Sequence, residues 1–188
     1  MDHDLFAAIN GLAGRERLVD VLAVALSRFG PYLLDIALAL VWFFRTTAAE
    51  RERRQRLVLL ALIAAAGSLL VNQIIILIWS RPRPFAVQAA TLLLRPSHDP
   101  SFPSDHATFA FAIAVGLFLV SKRVGVPALI LAALIGFARV YAGEHYVTDV
   151  IGGALIGTLA TVGVARVKYA LEPFLAVVLR LTRRLHLS

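Results

Sequence analysis

Long apolar blocks alternate with short polar breaks along the chain, and the block lengths predict helices that cross a bilayer. Residues 57–79, 104–120, 126–141 and 146–164 each form such a block. Leu18 to Phe44 is also mostly apolar, yet Asp20, Arg28, Gly30, Pro31 and Asp35 interrupt it. A surface or half-inserted helix to about Phe29, then a span from Pro31 to Phe44, accommodates these breaks, because proline suits the first turn of a helix. One tilted helix through the whole stretch is the other solution. Residues 3–14 form a short, weakly amphipathic segment that ends near Gly11 and Gly14. After Pro173 the apolar run is too short for the ~20 residues a crossing needs. With Arg180, Arg183 and Arg184 it predicts a basic helix on the membrane surface. The expected fold is all-α: a polytopic membrane helix bundle of about five transmembrane helices. It forms one domain over 1–188, with surface or half-inserted helices over 1–29 and a basic amphipathic tail over 171–188.

Composition supports an integral membrane protein over a soluble one. Of 188 residues, 59% are hydrophobic, and the mean hydropathy is +0.77. A soluble domain of this size buries a core without several nearly uncharged runs of this length. The formal net charge of +7 invites a nucleic-acid reading. However, the basic residues sit at the ends of apolar blocks, where they anchor and orient helices in a bilayer. No nucleic acid is expected as a partner. Cysteine is absent, which excludes disulfides and thiolate metal sites. Met1-Asp-His-Asp4 lacks the basic region and cleavage site of a signal peptide.

Alternation of five spans places the loop at 45–56, the turn at 122–123 and the tail after 166 on one side. All three are basic. The positive-inside rule makes that side, and the C-terminus, cytoplasmic. The opposite side then receives the proline-rich segment Ser80–Pro103, the start of the helix at 104–120, and the turn around 139–149. Gly153-x-x-x-Gly157 in the last span reads as a helix-packing feature.

Three polar clusters gather on that outer side. In Arg81-Pro-Arg-Pro-Phe85, stiff proline backbone presents two arginine forks suited to phosphate, although an isolated pair more often meets lipid headgroups. In Ser101-Phe-Pro-Ser-Asp-His106, Ser104 or Asp105 can cap the following helix. The helix start then offers backbone N–H groups and the positive end of its dipole to an anion. His106 adds a group that can give up a proton near neutral pH. In the third cluster, from Arg139 to Asp149, His145 and Asp149 are four residues apart and share a helix face. A carboxylate on one imidazole nitrogen fixes the tautomer and frees the other nitrogen as nucleophile or base. Gly143 permits the reversal that brings Arg139 over His145. Each cluster alone is ordinary at a membrane helix end. Together they are the parts for phosphoryl transfer through a histidine.

The three clusters resemble the signature of the type 2 phosphatidic-acid phosphatase superfamily, K-x6-R-P, then P-S-x-H, then S-R-x5-H-x3-D. The likeness covers about residues 72–153, and the wording is most similar to the bacitracin-resistance type of undecaprenyl-diphosphate phosphatase. Two positions depart from the pattern: Ile76 stands where the lysine would fall, and Ala138 replaces the serine before Arg139. Arg81 is the candidate to replace the missing charge.

The resemblance implies that His145 attacks the terminal phosphorus, Asp149 orients its ring, and His106 protonates the leaving oxygen and then activates water. It implies that Arg83, Ser104 and Arg139 hold the phosphoryl oxygens, with Arg81 and Asp105 in the same phosphate-binding group. The implied reaction hydrolyses undecaprenyl diphosphate at the outer face of a bacterial cell membrane, recycling the carrier lipid of wall synthesis. A broader lipid phosphatase, acting on phosphatidic acid, phosphatidylglycerol phosphate or short isoprenyl diphosphates, is the alternative. A non-enzymatic transporter or binder of anionic lipid is the rival from another class, disfavoured because no charge repeats midway through the spans. His106 and His145 lack the paired-ligand spacing and spare carboxylates of a zinc site, so no metal and no cofactor is expected. Glu144 reads as an exposed turn carboxylate, and His98 and Asp99 as solvated loop residues.

Overall fold

The computed structural model describes residues 1–44 and 47–185. Arg45, in the expected basic segment, and His186–Ser188, in the expected tail, lie outside the described residues. Every regular element among the described residues is helical. The helices are α1 (Asp2–Asn10), α2 (Arg17–Phe43), α3 (Ala48–Ile78), α4 (Pro84–Val87), α5 (Asp105–Val120), α6 (Lys122–Tyr141), α7 (Val147–Arg166) and α8 (Lys168–Arg184). Four of them, α2, α3, α6 and α7, are long and apolar enough to cross a membrane. α5 is shorter, at 16 residues, but it forms the axis of the bundle. It packs on α3, α6 and α7 and, less extensively, on α2. Ala107, Ala110, Ala112, Ile113, Ala114 and Leu117 on α5 have no exposed surface.

Small residues set that central packing. A Cβ added to Gly157 of α7 would lie 2.2 Å from the carbonyl oxygen of Thr108 on α5, and one added to Gly153 2.6 Å from that of Ser104. Backbones this close leave no room for a side chain, which is what a small-x-x-x-small stripe provides. The same contact brings the start of α7 against the start of α5.

Three boundaries differ from expectation. α2 runs unbroken through Gly30 and Pro31, with no separate helix ending at Phe29. Pro31 lacks a donor and Gly30 lacks a side chain, but tight packing on Ile135 of α6 holds the helix there. The basic segment 48–56 is helical and begins α3. Thr47 caps it through Glu50 N, and Glu50–Arg54 (2.9 Å) and Glu52–Arg56 (2.7 Å) pair one turn apart. α8 starts at Lys168 and carries Pro173 inside it. It buries Leu175 and Leu179 and binds α3 through Arg56–Glu172 and Arg183–Glu52.

α1 does not lie free. Phe6 is fully buried against Val140 and Tyr146. The Asn10 amide donates to the carbonyls of Thr91 and Tyr141, both at 2.8 Å, and accepts from Thr91 N. The N-terminal helix is thus docked on the ends of α6 and α7, where the three polar clusters meet.

Candidate active site

The site is built where three chain reversals converge. α6 ends at Tyr141 and turns through Gly143, whose φ of +87° is left-handed backbone that favours glycine. A Cβ there would also meet the Thr91 carbonyl oxygen at 2.7 Å. The turn delivers Glu144 and His145, and Glu144 N donates to the Arg139 carbonyl. Ser104 N donates to the Asp149 carbonyl, which joins the starts of α5 and α7. Ser101 N donates to the Arg81 carbonyl at 2.8 Å, bringing the first cluster alongside.

A cavity of about 560 Å³ opens here, lined among others by Arg83, His106, Arg139, Glu144 and His145. His145 is 2% exposed, and its Nδ1 lies 2.8 Å from the Ser101 carbonyl oxygen. A carbonyl only accepts, so Nδ1 carries the proton and Nε2 keeps the lone pair. Asp149 Oδ2 is 3.7 Å from Nδ1, too far for a hydrogen bond. The ring is therefore oriented by the Ser101 backbone, where the sequence pointed to Asp149. The Asp149 carboxylate accepts instead from Ser101 Oγ (2.5 Å), Tyr146 N (2.8 Å) and Arg81 Nη1 (2.6 Å). Burial pushes the His145 pKa down to about 4, opposed by nearby Asp149 and reinforced by the Arg139 and Arg83 cations.

Arg83 and Arg139 come from different elements and converge on Glu144. Arg83 Nη1 lies 2.6 Å from Glu144 Oε2, Arg139 Nη2 lies 3.4 Å from the same oxygen, and Arg83 Nε donates to the Asp99 carbonyl. All three side chains are under a tenth exposed, and Glu144 Oε1 and Arg139 Nε are buried without a partner among the described residues. Glu144 is 1% exposed, so the expectation of an exposed turn carboxylate is overturned. Two buried guanidiniums in one cavity need a nearby anion, and the turn supplies it.

The other three residues expected to bind phosphate have the following surroundings. Arg81 is not among the cavity-lining residues. It bridges Asp149, Asp2 (2.7 Å) and Thr148, with its guanidinium 4.0 Å from the Tyr146 ring centroid. Burial works against its charge, but Asp2 and Asp149 outweigh it and raise its pKa. Asp105 lines the cavity, but as a carboxylate it can only accept, and it does so from Asn72 Nδ2 at 2.6 Å. Ser104, also not among the cavity-lining residues, occupies the N-cap position of α5 without a capping bond from its side chain, and its buried hydroxyl has no partner among the described residues. His98 and Asp99 are exposed, as expected, and Asp99 lines the cavity rim.

Sequence reasoning assigned no role in the site to Asn72, Asp2 or the Ser101 carbonyl, and it read Glu144 as an exposed turn residue. Asn72 is fully buried on α3 and also donates to Thr108, so it steadies the start of α5. The one available signal for Glu144 was its place in Gly143-Glu-His145, beside the proposed nucleophile and at the same end of the bundle as the arginines.

The fold and the histidine–arginine cavity define a membrane phosphatase of one family. The chain belongs to the PAP2 superfamily, whose sequence profile matches residues 55–172. It is 30% identical over 181 residues to a Bacillus subtilis (strain 168) protein named undecaprenyl-diphosphatase BcrC, covering 96% of this chain and 91% of that protein. Its fold is similar to the crystal structure of Aquifex aeolicus LpxE (TM-score 0.68, 30% identity, 87% of this chain and 93% of that one). It is also similar to the first transmembrane PAP2 type phosphatidylglycerolphosphate phosphatase from Bacillus subtilis (TM-score 0.65, 26% identity, 90% of this chain and 85% of that one).

Proposed function

We propose that this lipid phosphatase removes the terminal phosphate of undecaprenyl diphosphate at the extracytoplasmic face, through a phosphohistidine on His145. The observation that carries the reading is the single free ring nitrogen of His145 in a cavity shared with Arg83, Arg139 and His106. In the first step His145 Nε2 forms a bond to the terminal phosphorus and the anhydride P–O bond breaks. His106 gives its proton to the departing lipid phosphate. In the second step water attacks the phosphorus, the P–N bond breaks, and the water's proton passes to His106. Inorganic phosphate leaves and both histidines are restored.

Arg83 and Arg139 hold the phosphoryl oxygens, and Ser104 Oγ, buried and without a partner among the described residues, is the hydroxyl available to join them. Charge stabilisation and alignment supply most of the acceleration in phosphoryl transfer. Asp149 acts on the ring indirectly, by fixing Ser101, Tyr146 N and Arg81. The outward orientation rests on the basic ends of α3, α6 and α8, opposite the site. The likeness to an undecaprenyl-diphosphatase over nearly the whole chain supports the substrate. The likeness to a phosphatidylglycerolphosphate phosphatase supports a second reading, a broader lipid phosphatase.

The test is phosphate release in detergent micelles from undecaprenyl diphosphate and phosphatidic acid side by side, with His145→Ala as control. Release from the diphosphate, lost in the variant, is expected. Release mainly from phosphatidic acid would replace the first reading by the second.

A further inference from the structure

Four arginines line the cavity: Arg28, Arg83, Arg95 and Arg139. Arg83 and Arg139 form the inner fork on Glu144. Arg28 and Arg95 are exposed, and neither has a hydrogen-bond or ion-pair partner among the described residues. They come from separate elements, Arg28 from α2 and Arg95 from the segment between α4 and α5. The α3 wall of the cavity presents Ile76, which carries no charge. Arg81 cannot supply one, because Asp2 and Asp149 already hold its guanidinium.

We propose that Arg28 and Arg95 form a second phosphate subsite at the cavity mouth, which takes the proximal phosphate of a lipid diphosphate. This rests on the diphosphate reading given above. A phosphate monoester fills the inner fork alone. A diphosphate carries a second anionic group one bridging oxygen away, still inside the cavity, and that group needs its own donors. Guanidinium forks match phosphate oxygens in pairs and stay charged in any medium. Phe29 and Tyr32 line the cavity beside Arg28, with Tyr32 one helical turn further along α2. The subsite therefore borders an apolar step of the kind a lipid chain follows once its headgroup is bound. Selectivity for a diphosphate over a monoester follows from the outer pair.

The experiment uses the purified full chain in a neutral detergent, with Arg28→Gln, Arg95→Gln and the double variant. Two inhibitors are compared, inorganic phosphate and methylenediphosphonate, together with the KM for a short isoprenyl diphosphate. The inhibition constant for methylenediphosphonate is expected to rise about tenfold or more per arginine, with phosphate inhibition nearly unchanged and KM rising more than kcat falls. Equal weakening of both inhibitors would mean a general field effect and would overturn the subsite. So would no change in either, or an effect seen only after anionic lipid is added, which would assign the arginines to neighbouring headgroups. If the wild type turns over phosphatidic acid and not the isoprenyl diphosphate, the substrate reading fails. The inhibitor comparison, run on phosphatidic acid, then still decides whether the subsite exists.

Discussion

Glu144 Oε2 lies 2.6 Å from Arg83 Nη1, and this buried pair, joined by Arg139 at 3.4 Å, assembles the arginine fork before any substrate arrives. The carboxylate stands in for the anion that the fork is built to receive. Glu144→Gln removes that charge and leaves two buried guanidiniums facing each other. Breaking a buried pair of this kind costs ~3–5 kcal/mol, so Tm in micelles should fall clearly. Added phosphate should raise the Tm of the variant more than that of the wild type, because it supplies the negative charge that the glutamine lacks. Equal responses to phosphate would contradict this role.

Arg81 is held by Asp149 and Asp2, and the proposed scheme gives it a positioning role through Asp149. Arg81→Gln should therefore lower kcat by about tenfold or more while leaving KM nearly unchanged. A direct phosphate ligand would give the opposite split, with KM carrying the loss. Steady-state kinetics on the diphosphate separates the two.

Burial keeps the His145 pKa near 4 in the folded chain, against 6.5 for an exposed histidine. The unfolded chain then binds a proton at this position that the folded chain refuses. Its contribution to stability is complete above pH 6.5 and is lost as pH falls toward 4. Tm measured across that window should decline with acid, and His145→Gln should flatten the decline. Unchanged slopes would show that His145 is not held neutral by the fold.

Catalysis in the proposed scheme uses two imidazoles and the arginine fork, with no step that requires a metal. Phosphate release should keep its full rate in excess chelator. Loss with EDTA, restored by zinc or magnesium, would require a different mechanism.

The helical blocks and all three polar clusters were legible because bilayer-length runs and their polar ends leave a strong mark on composition. His106, His145, Arg83 and Arg139 meet in one cavity, as their placement at one side of the bundle implied. The pairings inside the site were not legible, because they depend on distances that no spacing rule gives. His145 and Asp149 do share a helix-like interval, yet the Ser101 carbonyl reaches Nδ1 first and Arg81 takes the carboxylate. Glu144 looked like a turn residue because its closest ion-pair partner, Arg83, lies 61 residues away in sequence. The continuity of α2 through Pro31 was hidden for a similar reason: packing against Ile135 overrides a local breaker.

The most direct measurement is to mix the enzyme rapidly with undecaprenyl diphosphate labelled with ³²P in the terminal phosphate and quench in alkali. Label should appear on the protein, stable to base and labile to acid, as a phosphorus–nitrogen bond requires. It should be absent in His145→Gln. Loss of label from the wild-type protein should keep pace with phosphate release. Phosphate release at full rate with no protein-bound label at any time would contradict a phosphohistidine on His145.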